Sequence, residues 1–483
     1  MHFFLRVMGR GGDVLNLKKW IPQRNVRKLI LEQLQPGDVE MVMYAHMKHK
    51  RIQLDPEFTL FCAEYGHLHL LQWARAQGCE WHKSTCLVAI EHRNIDVLKW
   101  ACEDGAACGL YDASVLAFQG DLETLQWLVG THCPLDTCIL SGAAKGGHMY
   151  VAEWLVAKRC PINVDNAECA TIFGHLDMLA WLAHKGCQIT SSVLEEAIVG
   201  AHLHIVQWCI ERNVELYAYM CEFAAARGHL RVLQLLRDNG CNWDNHTNAK
   251  AALNGHWNIL EWTHQNGLPL TGLSCTYAAM GGQLKILQKL RAMGVEWSDQ
   301  VCHLAVRYNR FEVLEWALDN GCPFNDESCR VAAGSGSLEM LQWLVARGMH
   351  WDERVVQVAS FQRKWNVLVW AIDNGCPRDA QVCANLAYHK RIDLLKWARE
   401  KGCDWTVNTM RHAASSGLEV TQWCHENGCP WDSDVYKWAA IEARWEVLDY
   451  ALQHNCPWDP NILVNGPIGL LQWARKHNLE GTQ

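Results

Sequence analysis

The tripeptide Leu71-Gln72-Trp73 decides the fold, because its tryptophan recurs along most of the chain. From Trp73 the same column returns in twelve consecutive steps of 27 residues as far as Trp397, and then at Trp423, Tyr450 and Trp473. Thirteen of its sixteen positions are tryptophan, so it can serve as a ruler for the other positions. A fixed period of this length is typical of stacked structural repeats.

Each repeat predicts two short helices joined by a turn. Nine residues after the ruler most repeats have Asp, Asn, Ser or Thr, as at Asp136, and such side chains cap helix N-termini. Apolar residues follow at helical spacing, for example Cys302, Ala305 and Val306, and a pair such as Gly147-His148 then separates this helix from the next. No alternating strand pattern appears. We therefore predict an all-α solenoid of about sixteen helix–turn–helix repeats with short loops and almost no sheet.

The phrases at residues 224–230 (Ala-Ala-Ala-Arg-Gly-His-Leu) and 174–182 (Gly-His-Leu-Asp-Met-Leu-Ala-Trp-Leu) resemble the ankyrin repeat. The period is shorter than that family's usual length of about 33 residues, and its Thr-Pro-Leu-His opening is absent, so tight loops should replace its β-hairpin fingers. Phrases such as Gly428–Asp432 are similar to the short ankyrin repeats abundant in giant DNA viruses of amoebae and in some protists. The resemblance implies protein–protein binding, usually on the concave face, without catalysis.

Residues 52–480 form the predicted repeat array and residues 481–483 a tail, whereas residues 1–51 do not fit the ruler. One interpretation of this N-terminal region is a cap of degenerate repeats, which repeat arrays require. The other is an F-box, which would imply a Skp1-like linker and a substrate receptor of a ubiquitin ligase. Four segments resemble the F-box pattern, although one spacing is a residue too long and the closing Trp is missing. They are Ile21-Pro22, Ile30-Leu31, Leu34 and Pro36-x-Asp38-Val39.

Composition limits the remaining classes. Of the 483 residues, 49% are hydrophobic and 20% charged, which allows a buried core. The sequence contains no run of eighteen apolar residues, so it predicts no membrane span. Arg6 interrupts the only short apolar stretch at the N-terminus, so we expect no signal peptide. A cytoplasmic or nuclear protein, in the host cell if viral, would keep its 23 cysteines as free thiols.

The cysteines and histidines recur in fixed columns, which favours structural roles. Cysteine six or thirteen residues after the ruler alternates with apolar residues, so it is predicted to be core rather than a metal ligand. The histidine slot of the Gly-His pair also holds Asn, Asp, Gln, Arg, Ser or Lys, which predicts helix capping. No catalytic or phosphate-binding motif appears, so we predict no enzyme and no cofactor.

Two columns supply candidate partner-binding residues. The column fourteen residues after the ruler is the most polar column of the first helix, and its acidic part is followed by a more basic one. Such a column would suit an extended dipolar partner. The alternative is that it is simply a solvated helix face. The column eight after the ruler is rich in tryptophan, which would be either core or partly exposed anchors. The candidates are Glu168, Glu195, Glu222, His303, Arg330, Gln357, Arg411 and Lys437 from the first column, and Trp351, Trp405 and Trp431 from the second.

The predicted function is therefore a monomeric protein-binding scaffold, with the ubiquitin-ligase receptor as the main alternative. Nucleic-acid binding is a lesser alternative, because the formal net charge is -8. Its candidate residues are basic side chains in the turns between the two helices of a repeat: Arg93, Arg310, Arg363–Lys364, Lys390–Arg391 and Arg444.

Overall fold

The computed structural model describes residues 55–131, 133–325, 327–464 and 466–479. Within these ranges the chain contains α-helices, one 3-10 helix and no strand. None of the helices in this part is long and apolar enough to cross a membrane. The cap and F-box interpretations of residues 1–51, and the tail at residues 481–483, lie outside the described residues.

The helices follow one another in short, regular steps. In chain order they are α1 Pro56–Tyr65, α2 Leu68–Ala76, α3 Thr85–Glu91, α4 Ile95–Glu103, α5 Leu110–Gln119, α6 Leu122–Thr131, α7 Thr137–Gly146, α8 Met149–Ala157, α9 Val164–Ile172, α10 Leu176–His184, α11 Ser191–Val199, α12 Leu203–Glu211, α13 Ala218–Arg227, α14 Leu230–Asp238, α15 Asn245–Asn254, α16 Trp257–Gln265, α17 Gly272–Gly281, α18 Leu284–Ala292, α19 Gln300–Arg307, α20 Phe311–Asp319, α21 Ser328–Ser335, α22 Leu338–Ala346, α23 Glu353–Phe361, α24 Trp365–Asp373, α25 Ala380–Tyr388, α26 Ile392–Glu400, α27 Val407–Ser416, α28 Leu418–Glu426, α29 Asp434–Ile441, α30 Trp445–Gln453, the 3-10 helix η1 Pro460–Leu463 and α31 Ile468–Lys476.

Odd-numbered helices up to α29 are first helices of a repeat and even-numbered helices are second helices; the last repeat pairs η1 with α31. The predicted all-α fold of sixteen helix–turn–helix repeats is thus confirmed. Contacts divide the chain into two compact units. The first contains the described residues up to 224 together with residues 231–242, and the second contains residues 225–230 together with the described residues from 243 onward. We call these the first and second unit. Within each, first helices pack against first helices of the adjacent repeats.

The helix ends are set by the residues that the sequence singles out. The carboxylate of Asp136 accepts a hydrogen bond from the backbone N–H of Cys138 at 2.9 Å, and Asp244 caps α15 in the same way. Gly147 and Gly240 end their helices with positive φ angles of 70° and 82°, the left-handed conformation that glycine adopts without a Cβ penalty. The predicted capping aspartates and terminal glycines are confirmed at these positions.

The core lies between the first and second helices of each repeat. Second helices bury two consecutive large side chains, such as Met178 and Leu179, whereas first helices bury mainly alanine and cysteine. Small residues let neighbouring first helices approach closely: a Cβ on Gly142 would collide with the backbone carbonyl of Ser114 in the preceding repeat. Stacking therefore supplies the apolar cover that a single short repeat lacks.

The histidine slot differs from the sequence prediction. His148, His175, His202 and His256 do occupy the position before the second helix, but none caps it with its side chain. Each ring instead has Nε2 at 3.0–3.2 Å from a backbone carbonyl oxygen thirty residues earlier, in the preceding repeat. Asn94, Gln283 and Arg310 donate across repeats from the same slot. The capping prediction is confirmed where the slot holds Asp121 or Ser337, whose side chains accept from a backbone N–H of the second helix.

The two tryptophan columns pack against each other across repeats. Trp243 lies 5.5 Å from the next repeat's Trp262, and Trp297 lies 5.6 Å from Trp316, measured between ring centroids. The rings of Trp243 and Trp297, which belong to the second column, are half-buried, and this favours the partly exposed alternative for them over a fully buried core. Large, rigid rings cover the outer edge of the core, and the smaller side chains fill its centre.

Most cysteines are buried, as predicted. Cys160 and Cys187, six residues after the ruler, donate S–H hydrogen bonds at 3.2 Å to backbone carbonyls in the loop of the preceding repeat. The expectation of 23 free thiols is wrong for one pair, because Cys102 and Cys108 form a disulfide.

Candidate binding faces

The acidic candidates lie on three successive first helices of the first unit. Glu168, Glu195 and Glu222 are half-buried on α9, α11 and α13. Glu195 accepts a 2.5 Å hydrogen bond from the hydroxyl of Tyr219, and this bond is the main reason that the pKa of the tyrosine rises to about 12. The acidic stripe is therefore anchored to an aromatic side chain of the next repeat.

Further rings extend this acidic stripe. Tyr219 stacks on Tyr217 at 5.6 Å and meets the edge of Phe223 at 5.4 Å. Tyr217 and Phe223 are exposed. The combination presents carboxylates beside apolar ring faces, an arrangement suited to a partner with basic and apolar side chains.

The basic candidates lie in the second unit, where two of them are neutralised. His303, Gln357 and Lys437 are half-buried on first helices, as are Arg330 and Arg411. Arg330 pairs with a glutamate three residues earlier at 2.5 Å, and Arg411 pairs with two aspartates of the following repeat. These ion pairs raise the pKa of Arg411 and leave little free positive charge on that part of the column.

The tryptophan candidates each face another ring. Trp351 lies 5.6 Å from Trp370, and Trp405 lies 5.9 Å from Trp423 with the guanidinium of an arginine 4.3 Å above it. Trp431 stacks on a histidine at 4.1 Å. All three candidates are half-buried, so each offers one part of its ring to solvent while the rest packs within the array.

Sequence reasoning missed a third column, eighteen residues after the ruler, at the end of the first helix. Several of its apolar members are exposed large hydrophobic side chains. It stands four residues after the candidate polar column, and therefore on the same helix face. Its exposed members are Phe118 and Ile172 in the first unit, and Phe361, Tyr388 and Ile441 in the second.

In the first unit this apolar column gathers across repeats. Phe118 on α5 meets the edge of Phe173, which directly follows α9, at 6.2 Å between ring centroids. Ile172 stands beside Phe173 in the chain, and the three side chains are 44–48% exposed. A contiguous apolar patch of this kind is characteristic of interaction surfaces. The signal was present in the sequence as apolar residues at a position where other repeats have Glu, Lys or Arg.

The basic turns of the second unit converge. Arg363, Lys390, Arg391 and Arg444 line one groove together with aromatic residues. Arg310, in an earlier turn, instead donates from Nε to the backbone carbonyl of Met280 at 3.1 Å, as the histidines do. Only part of the predicted basic set is thus brought together.

One group of sulfurs has the spacing of metal ligands within the described ranges. The Sγ atoms of Cys86, Cys102 and Cys108 lie within 4.8 Å of one another. The disulfide between the last two removes both as thiolate ligands, and burial raises the pKa of Cys86 to about 12. These residues do not fit a metal centre in this oxidation state.

Comparison with known proteins leaves the family open. No family model and no curated protein matches the chain. Among solved structures, the pentatricopeptide repeat protein PPR10 from maize is similar over 87% of this chain and 81% of its own, with 12% identity and a TM-score of 0.31. The fold assignment rests on the helices described above.

Proposed function

We propose that the chain is a non-enzymatic scaffold that binds another protein through the exposed face of its first helices. The observation that supports this proposal best is the apolar column at the ends of the first helices. Phe118 on α5, and Ile172 and Phe173 at the end of α9, expose nearly half of their side chains. Exposed apolar patches, and aromatic anchors in particular, are features of protein interfaces.

The acidic stripe narrows the kind of partner. Glu195 and its ring neighbours Tyr217, Tyr219 and Phe223 offer carboxylate and aromatic contacts on the same helices. A partner segment that alternates Lys or Arg with apolar anchors would complement both features. The ankyrin-like phrases of the sequence support the same interpretation, because first helices and loops carry the contacts in that family.

The test compares proteins that co-purify with the full chain and with surface variants from eukaryotic cells, after cross-linking and mass spectrometry. The face variant changes Phe118, Ile172 and Phe173 to serine. The control variant changes Leu203 and Met293, which are exposed apolar residues of a second helix and of a loop after one, to serine. We expect specific partners to be lost with the face variant and kept with the control. Equal recovery with both variants would contradict the proposal.

A second candidate, the substrate receptor of a ubiquitin ligase, depends on residues 1–51. Removing them separates the two functions in the same experiment. If a Skp1-like linker and a cullin come down with the full chain only, the N-terminal region recruits the ligase and the repeats select its substrates. If the same partners accompany both chains, the repeats act as a scaffold on their own.

A further inference from the structure

The inter-helix turns of the second unit form a basic groove of about 430 Å³. Arg363, Lys390 and Arg444 line it from three repeats, and among the described residues none of the three forms an ion pair. Arg391 also lines it but is neutralised by an aspartate at 2.7 Å, and Glu442 contributes one negative charge. A protein with a net charge of -8 therefore concentrates unpaired cations at this place.

A continuous series of rings begins in the groove and runs on along the first helices α27 and α29. It passes from Trp365 to His389 at 5.8 Å, to Tyr388 at 5.1 Å, to His412 at 5.6 Å and to Trp438 at 5.6 Å, measured between ring centroids. Tyr388 is 50% exposed and Trp438 is 37% exposed. The series places the open ring surface of Tyr388 beside the cations, and it continues outside the groove to the exposed ring of Trp438.

Hydrogen bonds fix the groove's side chains. The Nε of Arg363 donates to Nδ1 of His389 at 3.2 Å, and Nε2 of that ring donates to the carbonyl of Phe361 at 3.1 Å. This pattern selects the neutral tautomer that carries its proton on Nε2. Arg444 donates from Nε to the carbonyl of Ser415 at 3.3 Å. Both guanidinium groups are thus oriented through Nε, and their terminal N–H groups remain available for an anion.

The backbone at two of these cations is left-handed. Arg363 and Lys390 have positive φ angles of 60° and 57°, in a slot that other repeats of this unit fill with glycine, as at Gly282, or with other residues, as at Asn309 and Ala443. The turn therefore accepts a side chain at this slot, and in these two repeats that side chain is a cation.

We infer that this groove binds single-stranded nucleic acid, with phosphates on Arg363, Lys390 and Arg444 and unpaired bases on the exposed ring of Tyr388 and, where the strand leaves the groove, on that of Trp438. Positive side chains that follow a backbone, together with aromatic surfaces on which bases stack, are how proteins bind single strands without sequence preference. The inference goes beyond the proposed protein scaffold, and it concerns a different unit from the apolar patch at Phe118.

The arrangement favours a nucleic-acid strand over two other anions. A duplex hides its base faces, so it would leave the ring series unused. A phosphorylated peptide is recognised by arginines that converge on one phosphate, whereas these cations are spread over separate repeats. The net charge of the chain, which argues against nucleic acid in general, averages over a surface of which this groove is a small part.

The test measures binding of a fluorescein-labelled oligouridylate of twelve nucleotides to the full chain by anisotropy at several salt concentrations. We expect affinity to fall with salt and to exceed affinity for a duplex of equal length. Changing Arg363, Lys390 and Arg444 to glutamine should weaken binding about tenfold or more and reduce the salt slope by about 2, since each single-strand phosphate contact contributes about 0.7. Tyr388→Ala should weaken binding about tenfold, whereas Tyr388→Phe should retain it.

The matched control changes three exposed arginines with positive φ or in the same class of turn, Arg93, Arg159 and Arg310, to glutamine. Circular dichroism confirms that each variant is folded. Retained binding by the control and lost binding by the groove variant would support the inference. Equal loss in both variants, equal affinity for the duplex, or binding of a phosphorylated peptide but not of the oligonucleotide would overturn it.

Discussion

The Nε2 atom of His175 lies 3.0 Å from the backbone carbonyl oxygen of Lys145, thirty residues earlier and in the preceding repeat. The same ring covers Gly147, where a Cβ would lie 2.8 Å from it. The Gly-His phrase of the sequence therefore joins residues that act in different repeats: each glycine accommodates the residue in the histidine slot of the repeat that follows, which is His175 at Gly147 and Gln283 at Gly255. This explains why the Gly-His pair recurs although the glycine and the histidine of one pair take part in contacts with different repeats.

Replacing His175 with alanine should lower the free energy of unfolding by about 1 kcal/mol, because the carbonyl of Lys145 loses its donor. His175→Gln should lose less, since Gln283 reaches the carbonyl of Leu253 from the same slot elsewhere in the chain. Urea titration followed by circular dichroism measures both. An equal loss for the two variants would show that ring packing, not the hydrogen bond, is what the slot provides.

Replacing Gly147 with alanine should cost more than replacing Gly186. Both have positive φ angles, 70° and 95°, so each variant carries the left-handed penalty of about 1–2 kcal/mol. Only at Gly147 would the new Cβ also press on the ring of His175, since nothing lies within 4 Å of such an atom at Gly186. The difference between the two urea midpoints measures that contact, and identical midpoints would contradict it.

The period predicted the repeat number and the helix pairs, because both depend on local spacing and on capping residues such as Asp136. The destination of side chains that cross between repeats could not be predicted in the same way. His175 stands in a column whose residue types predict helix capping, but its ring contacts a backbone carbonyl of the preceding repeat. Trp297 stands in a column predicted to be either core or partly exposed anchors, and it lies at the half-buried edge of the core. One sequence column fixes which face a residue occupies, whereas its partner depends on the offset between neighbouring repeats.

The same limit applies to the candidate sites. The polar column placed Glu195 and Arg411 correctly on first helices, but sequence alone could not show that Arg411 is paired with two aspartates. Nor could it show that Arg363 and Arg444, eighty-one residues apart in the chain, line one groove. Such convergence follows from the stacking of repeats.

Arg399 should stabilise its loop through contacts that a surface ion pair does not provide. Its guanidinium lies 4.3 Å from the ring centroid of Trp405, and its Nη1 donates to the carbonyl of Cys403 at 2.6 Å. Arg399→Gln should lower stability by about 1–2 kcal/mol. Lys401→Gln, which breaks an exposed ion pair with Asp373, should lower it by less than about 1 kcal/mol. Comparable losses in thermal or urea unfolding would contradict the role of the ring.

His389 in the groove and the neighbouring His412 on α27 should make the second unit less stable in mild acid. Burial lowers the pKa of His389 and of His412 below the ordinary value of 6.5, helped by Arg363 beside the first and by His389 beside the second. The unfolded chain then binds protons near pH 6.5 while the folded chain does not. The contribution of the two histidines to the free energy of unfolding is therefore fully present above this pH. It falls as the pH drops from about 6.5 towards their lower pKa values in the folded state. Urea midpoints at pH 7.5, 6.5 and 5.5 measure the loss.

The variant His412→Phe separates this contribution from that of other titrating groups. Phenylalanine keeps a ring between Tyr388 and Trp438, and it removes a buried Nδ1 that has no hydrogen-bond partner in the described structure. Carboxylates elsewhere titrate alike in both proteins, so the difference between the two pH profiles reports His412 alone. We expect the variant to lose less stability than the wild type between pH 6.5 and 5.5. Parallel profiles would mean that His412 titrates in the folded protein as it does in the unfolded chain, and that its burial imposes no cost on the charged form.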